Sequence, residues 1–190
     1  MDHCNRSVKN IFTRRFIIII AIDPGCSGGI ASYNNGITVA VKMPDTDSGK
    51  VEYLRTLKDI VPGEKVRCVM EKVSGYIGGR MVDKQMVCPK CRSIFSYQEK
   101  QADPGSFMFT FGEGFGLLKG TILSLGFRYE EYTPIQWMNM AGIRKEKGES
   151  KTTWKNRLKD RAQKLYPEIK VTLSTADALI ILDVAKRITF

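Results

Sequence analysis

The sequence predicts an α/β domain, a mixed five-stranded sheet flanked by helices. Three observations carry this. The run Phe16-Ile-Ile-Ile-Ile-Ala-Ile22 has no polar face and reads as a strand buried on both sides. Two more strand-like runs follow it, joined by the tight-turn signal Asn34-Asn35-Gly36. Beyond residue 50, helical and strand-like segments alternate, which implies helices crossing over the faces of a sheet.

In chain order, residues 29–33 and 37–41 complete an antiparallel meander with the first strand, and 44–50 read as loop. Val51, Leu54, Leu57, Ile60 and Val61 recur at helical spacing between charges, and Pro62-Gly63 stops that helix. Residues 66–73 form a fourth strand, with Glu71 near its end, and 74–79 a glycine-rich turn. Residues 80–105 fit no element and read as a loop insertion carrying Cys88-Pro-Lys-Cys91. A helix follows over 106–125, ended by Gly126. Its Gly112, Gly114, Gly116 and Gly120 weaken it, so they predict close packing against another backbone. A fifth strand over 127–132, a short helix over 134–141 and an amphipathic helix over 152–166 come next. The last helix, about 175–186, is apolar nearly all round and is expected to be buried.

A length of 190 residues suits one domain, over 16–190, behind a flexible basic arm at 1–15. No apolar run approaches the roughly 20 residues that cross a bilayer, so no membrane is expected. The arm lacks the apolar core of an export signal. Five cysteines, an odd number, then favour reduced thiols and a cytoplasmic setting. The net charge is +10, and residues 144–164 hold nine basic against three acidic side chains. Such a cluster is either a solvated helix face or a surface for phosphates. In so basic a chain we take the second, with Lys147, Lys151, Lys155, Arg157 and Lys159 as candidate DNA contacts. Tyr76, in the glycine-rich turn, is either a plain surface aromatic or a platform for an unpaired base.

Three carboxylates fall where the surroundings are apolar. Asp23 ends the first strand, Glu71 ends the fourth, and Asp177 opens the last helix. Each has an ordinary reading: Asp23 caps the Pro24-Gly25 turn, Glu71 pairs with Lys72 or Arg80, and Asp177 belongs to a capping motif, Ser174-Thr-Ala-Asp177. Together they suggest more. In this topology the first and fourth strands can lie side by side. Clustered carboxylates repel, and a hard cation with oxygen ligands, such as Mg²⁺, is the usual remedy.

Several stretches resemble the RuvC-type Holliday junction resolvases, in particular their compact phage and viral branch. They are Ile20-Ala-Ile-Asp-Pro-Gly25 with Gly28-Gly-Ile-Ala, Val69-Met-Glu71, Phe109-Thr-Phe-Gly-Glu-Gly-Phe-Gly116, Tyr132-Thr-Pro-Ile-Gln-Trp137 and Ala176-Asp-Ala-Leu179. They run in the family's order over most of 17–187. The resemblance implies a ribonuclease H-like fold, a homodimer, and Mg²⁺- or Mn²⁺-dependent cutting of branched DNA, four-way junctions above all, in a bacterial or phage-infected cell. It implies Asp23, Glu71 and Asp177 as the catalytic, metal-binding acids. The chain departs from the family in two ways. A fourth acid is usual three or four residues before the Asp177 position, where this chain has Ser174 and Leu173. Asp183 is no obvious substitute, being about 240° round the helix from Asp177.

The other departure is Cys88-Pro-Lys-Cys91. The pair offers zinc two of four ligands, and His3 is the sole histidine. Four thiolates shared by a dimer, help from a distant cysteine, or no metal all remain open. Two other functions compete with the endonuclease: a branched nucleic-acid-binding module without catalysis, and an actin-like or sugar-kinase-type ATPase fragment. The second shares the sheet topology and an Asp-x-Gly loop, but its usual second domain has no room here.

Overall fold

The computed structural model describes residues 18–62, 65–73, 80–101 and 105–189. The basic arm and the 74–79 turn, with Tyr76, lie outside the described residues. The strands are β1 (Ile18–Asp23), β2 (Gly29–Asn34), β3 (Ile37–Lys42), β4 (Val66–Glu71), β5 (Arg80–Val87), β6 (Ile94–Gln101) and β7 (Arg128–Tyr132). The helices are α1 (Asp47–Lys58), α2 (Gly105–Ser124), α3 (Pro134–Met140), α4 (Lys151–Leu165) and α5 (Ala176–Thr189).

Five strands form one mixed sheet in the order β3-β2-β1-β4-β7. The meander β1–β3 is antiparallel, while β4 runs parallel to both β1 and β7. From Ile18 to Ile22 the isoleucine run is buried because both faces of β1 are covered. Side chains alternate across a strand. Ile18, Ile20 and Ile22 pack with Leu54 of α1 and with Leu118 and Ile122 of α2. Ile19 and Ala21 face Ala178, Leu179 and Leu182 of α5, together with Ala31 of β2. Small residues on this side let α5 lie close to the sheet. Its buried face makes a large apolar contribution: Leu179→Ala would cost about 2–5 kcal/mol.

One buried charge belongs to this packing. Arg67 on β4 is 4% exposed and forks onto Glu130 of β7, at 3.1 and 2.7 Å. It also donates to Ala185 O of α5 at 3.0 Å and to Tyr132 Oη at 2.9 Å. A buried guanidinium is tolerable only when so fully bonded.

The turn after β1 depends on two glycines. A Cβ at Gly28 would lie 2.8 Å from Asp23 Cγ. One at Gly29 would lie 2.6 Å from Ser174 O and 2.8 Å from Val41 O. Gly28 therefore lets the turn fold back on Asp23, and Gly29 lets the lead-in to α5 approach β2.

Two expectations need correction. Residues 80–105 are not a loop: β5 and β6 pair antiparallel as a separate two-stranded sheet, with Val87 opposite Ile94 at its tip. Their residues favour strands, but without the clean polar–apolar alternation of a half-buried hairpin. Among the described residues the α2 glycines meet no other backbone. Among them a Cβ at Gly112, Gly116 or Gly120 would meet nothing within 4 Å, and one at Gly114 only Lys50 Nζ at 3.7 Å. A smaller difference is that α1 starts earlier than expected, because the Thr46 side chain accepts from Gly49 N at 3.1 Å and caps it. Among the described residues no helix is long and apolar enough to cross a membrane.

Candidate functional site

Asp23 and Glu71 each end a strand of the parallel pair β1–β4, in which Ile22 lies opposite Met70. That register brings both acids to one edge of the sheet. Asp177, second residue of α5, reaches the same region. Its position is set by an interlock just upstream: the Thr172 N–H donates to Thr175 Oγ1 at 3.0 Å, and the Thr175 N–H to Thr172 Oγ1 at 3.3 Å. Thr175 thus occupies the start of the helix, and the Asp177 side chain is left for other partners.

The three acids have different partners. Asp23 Oδ1 accepts only a long bond, 3.4 Å, from Gly25 N. Glu71 Oε2 accepts from Trp137 Nε1 at 2.7 Å, not from a lysine, while Lys72 reaches Glu131 at 3.9 Å. Trp137 is itself buried and held by α3, whose start carries a reciprocal Thr133–Gln136 capping box. Asp177 Oδ2 accepts from Lys155 Nζ of α4 at 2.6 Å. Asp177 Oδ1 is buried and has no hydrogen-bond partner.

Electrostatics tie the group together. Burial and then the Asp177 charge push Asp23 up to about 6. Burial, then Asp23, push Glu71 up to about 7, against the Trp137 hydrogen bond that favours its charged form. Burial works against the Lys155 ammonium, yet Asp177, then Asp23 and Glu71, outweigh it and hold its pKa above the usual value. The ammonium stands among three carboxylates as their counter-ion. Asp183 takes no part, being paired with Arg187 at 2.7 Å.

Among the described residues no three Asp, Glu, His or Cys side chains converge closely enough to hold a metal ion as they stand. The donor set nevertheless fits a hard cation: all oxygen, mutually repelling, with one buried carboxylate oxygen that lacks a partner. A groove of about 490 Å³ opens beside Glu71, between Lys72-Val73 and Thr133-Pro134-Ile135.

The candidate DNA contacts divide. Lys147 and Lys151 are exposed and Lys159 partly so. Lys155 is committed to Asp177. Arg157 forks onto Glu149 at 3.0 and 2.8 Å and donates to Arg144 O at 2.7 Å, lying over the Trp154 ring. Cys88 and Cys91 lie far along the chain from the acids, at the β5–β6 tip. There hydrogen bonds from Ser93, side chain first and then backbone, and from Cys88 draw the Cys91 thiol down to about 7. Sequence reasoning did not single out Trp137, and it named Lys155 as a DNA contact rather than as a partner of Asp177. Trp137 carries a sequence signal, since a buried indole N–H needs an acceptor. Lys155 has none, because its spacing on α4 is that of an ordinary basic face.

No protein-family model matches this sequence, and no curated protein matches it. Solved structures do. Thermus thermophilus RuvC aligns over 90% of this chain and 96% of its own, at 14% identity and a TM-score of 0.49. T. thermophilus RuvC in complex with Holliday junction substrate aligns with the same coverage, at 12% identity and a TM-score of 0.51. At such identity the second likeness speaks for architecture. With its five-stranded order, parallel β1–β4 pair and flanking helices, this chain has the ribonuclease H-like fold of RuvC.

Proposed function

We propose that this chain is a divalent-metal-dependent endodeoxyribonuclease that cuts branched DNA, four-way junctions in particular. The observation that carries the reading is the set Asp23, Glu71 and Asp177. They come from three separate core elements to one sheet edge, where burial and then neighbouring carboxylate charge raise the proton affinity of Asp23 and Glu71, and Asp177 Oδ1 is buried without a partner. A folding chain gains nothing from that repulsion, so the arrangement makes sense as a cation site. Support for the substrate class comes from the RuvC of the same fold, solved with a Holliday junction substrate.

Asp23, Glu71 and Asp177 would hold Mg²⁺ or Mn²⁺. When bound, such an ion supplies an activated water and stabilises charge on the departing oxygen of a phosphodiester. The chain's own groups do the rest. Trp137 donates to one Glu71 oxygen and so orients the carboxylate. Lys155 offsets the repulsion around Asp177 and keeps its carboxylate oriented. Lys147, Lys151 and Lys159 lie on the basic stretch that leads to the site and are placed to hold phosphates.

The same reading calls for a homodimer, since paired cuts in a junction of two-fold character need two sites related by symmetry. The outward side of α2 is our candidate contact. Its open Gly112, Gly116 and Gly120 would admit a close helix, and Phe109 and Leu123 beside them are 68% and 54% exposed. A binding module without catalysis is the second reading, favoured by the missing fourth acid and by the spread of the three acids around Lys155. The two separate in one assay: a labelled four-way junction incubated with the protein in Mg²⁺ or in EDTA. Cuts that appear only with Mg²⁺ support the nuclease. A retarded but intact junction under both conditions would leave the binding module.

A further inference from the structure

The β5–β6 hairpin stands outside the five-stranded sheet and its strands pair only with each other. At its tip the Cys88 N–H donates to Ser93 O at 2.9 Å and the Arg92 N–H to Cys88 O at 2.9 Å, with Arg92 in the left-handed region at φ 55°. These bonds fold Cys88-Pro-Lys-Cys91 into a tight knuckle. The Ser93 hydroxyl is 3.2 Å from Cys91 Sγ. Both cysteines are free thiols. Two cysteines at this spacing on one tight knuckle offer half of a tetrahedral zinc–thiolate centre.

The other half is not in the described part of the chain. Cys68 is fully buried in β4, Cys26 sits in the turn after β1, and no third ligand joins the pair. The strands behind the knuckle are equally incomplete. Met86 lies opposite Phe95 and Val87 opposite Ile94, so both faces of the tip are apolar, and all four side chains are more than half exposed. A two-stranded hairpin alone is marginal in water, and an exposed apolar tip calls for cover. A second copy of the same tip supplies both missing items: two more thiolates and an apolar surface.

We propose that Cys88 and Cys91 of two copies form one four-thiolate zinc site that clasps hairpin to hairpin. Four thiols release their protons to solvent as the ion binds, and the ion's coordination energy becomes association energy. The clasp does not depend on the carboxylates, so its failure and that of the nuclease reading are separately visible.

The test uses the full chain, purified without chelator. Elemental analysis should find one zinc per two chains. Cobalt substituted for zinc should show the absorption of a tetrahedral all-thiolate site. Cys88→Ser and Cys91→Ser should each lose the metal and weaken the dimer in sedimentation, with the far-UV spectrum kept, because the hairpin is outside the main core. A His3→Ala/Cys4→Ser/Cys26→Ser variant should keep the same ratio. Absence of zinc, a Cys88–Cys91 disulfide in the purified protein, one zinc per monomer, or loss of zinc in the His3/Cys4/Cys26 variant would each overturn the proposal.

Discussion

Lys155 shows how one long side chain can hold an acid cluster together. Its ammonium is 2.6 Å from Asp177 Oδ2, and Asp177 is almost wholly buried. Removing one partner of such a pair strands a charge in low dielectric, which costs more than the pair itself contributes. Lys155→Ala should therefore lower stability by roughly 1–3 kcal/mol in chelator. Added Mg²⁺ should raise the melting temperature of that variant more than that of wild type, because the ion takes the vacated role. An equal rise in both would place Lys155 outside the site. The acids make a second prediction. Asp23→Asn, Glu71→Gln and Asp177→Asn should each abolish junction cutting while gel-shift binding survives, with non-additive losses in double variants. Near wild-type cutting by Asp177→Asn would return Asp177 to an ordinary helix-end role. A third concerns pH. Asp23 and Glu71 titrate near 3.8 and 4.5 when unfolded but near 6 and 7 in the fold. Between those limits the native state binds more protons than the unfolded one, so stability falls as pH rises through the window and levels off above it. In chelator, urea melts should show this loss between about pH 4 and 7, on the order of 3 kcal/mol per carboxylate. Glu71→Gln should flatten it, and a slope unchanged in that variant would contradict the assigned environment.

Helix α5 and strand β4 do more than fill the core. Small residues on one face of β1 and β2 admit α5 closely, and Gly29 lets the chain before α5 pass over β2. Asp177 therefore lies near strand ends from which it is distant in sequence. Arg67 ties β4, β7 and α5 through Glu130, Tyr132 and the Ala185 carbonyl. Helix α2 has a different character. Its inner side is anchored by Leu118 and Ile122, while its glycines look outward into open space. If that side is the dimer contact, Phe109→Glu should shift the protein toward monomer in light scattering at micromolar concentration without lowering the melting temperature of the monomer, since Phe109 packs little within its own chain. An unshifted dimer would move the contact elsewhere.

Over the whole molecule, a charge of +10 surrounds an edge that gathers three carboxylates. In the proposed function the two would serve different ends: the basic surface would draw a polyanion, and the acids would need a cation before that polyanion could approach. Binding of junction DNA should weaken steeply with salt, because each neutralised phosphate releases counterions. Lys147→Ala/Lys151→Ala should flatten the log–log slope by about 0.9 for each phosphate no longer neutralised. A slope identical to wild type would remove this stretch from the DNA surface.

Much of this architecture was legible in the residues. A strand with no polar side chain must be covered on both faces, Asn34-Asn35-Gly36 must turn, and helical spacing shows where amphipathic faces lie. That the first and fourth strands can lie side by side, bringing Asp23 toward Glu71, was readable from those elements; the full strand order was not. The hairpin at 80–101 was not legible, because both of its faces are exposed and so impose no alternation on the sequence. Nor were the roles of Trp137, Lys155 and Arg157. Each is decided by which side chain from a distant element ends within hydrogen-bond reach, at separations of 66, 22 and 8 residues. Periodicity reports the face on which a residue lies. Only packing in three dimensions selects the partner it meets there, because a charge in a buried place is stable or not according to that partner alone.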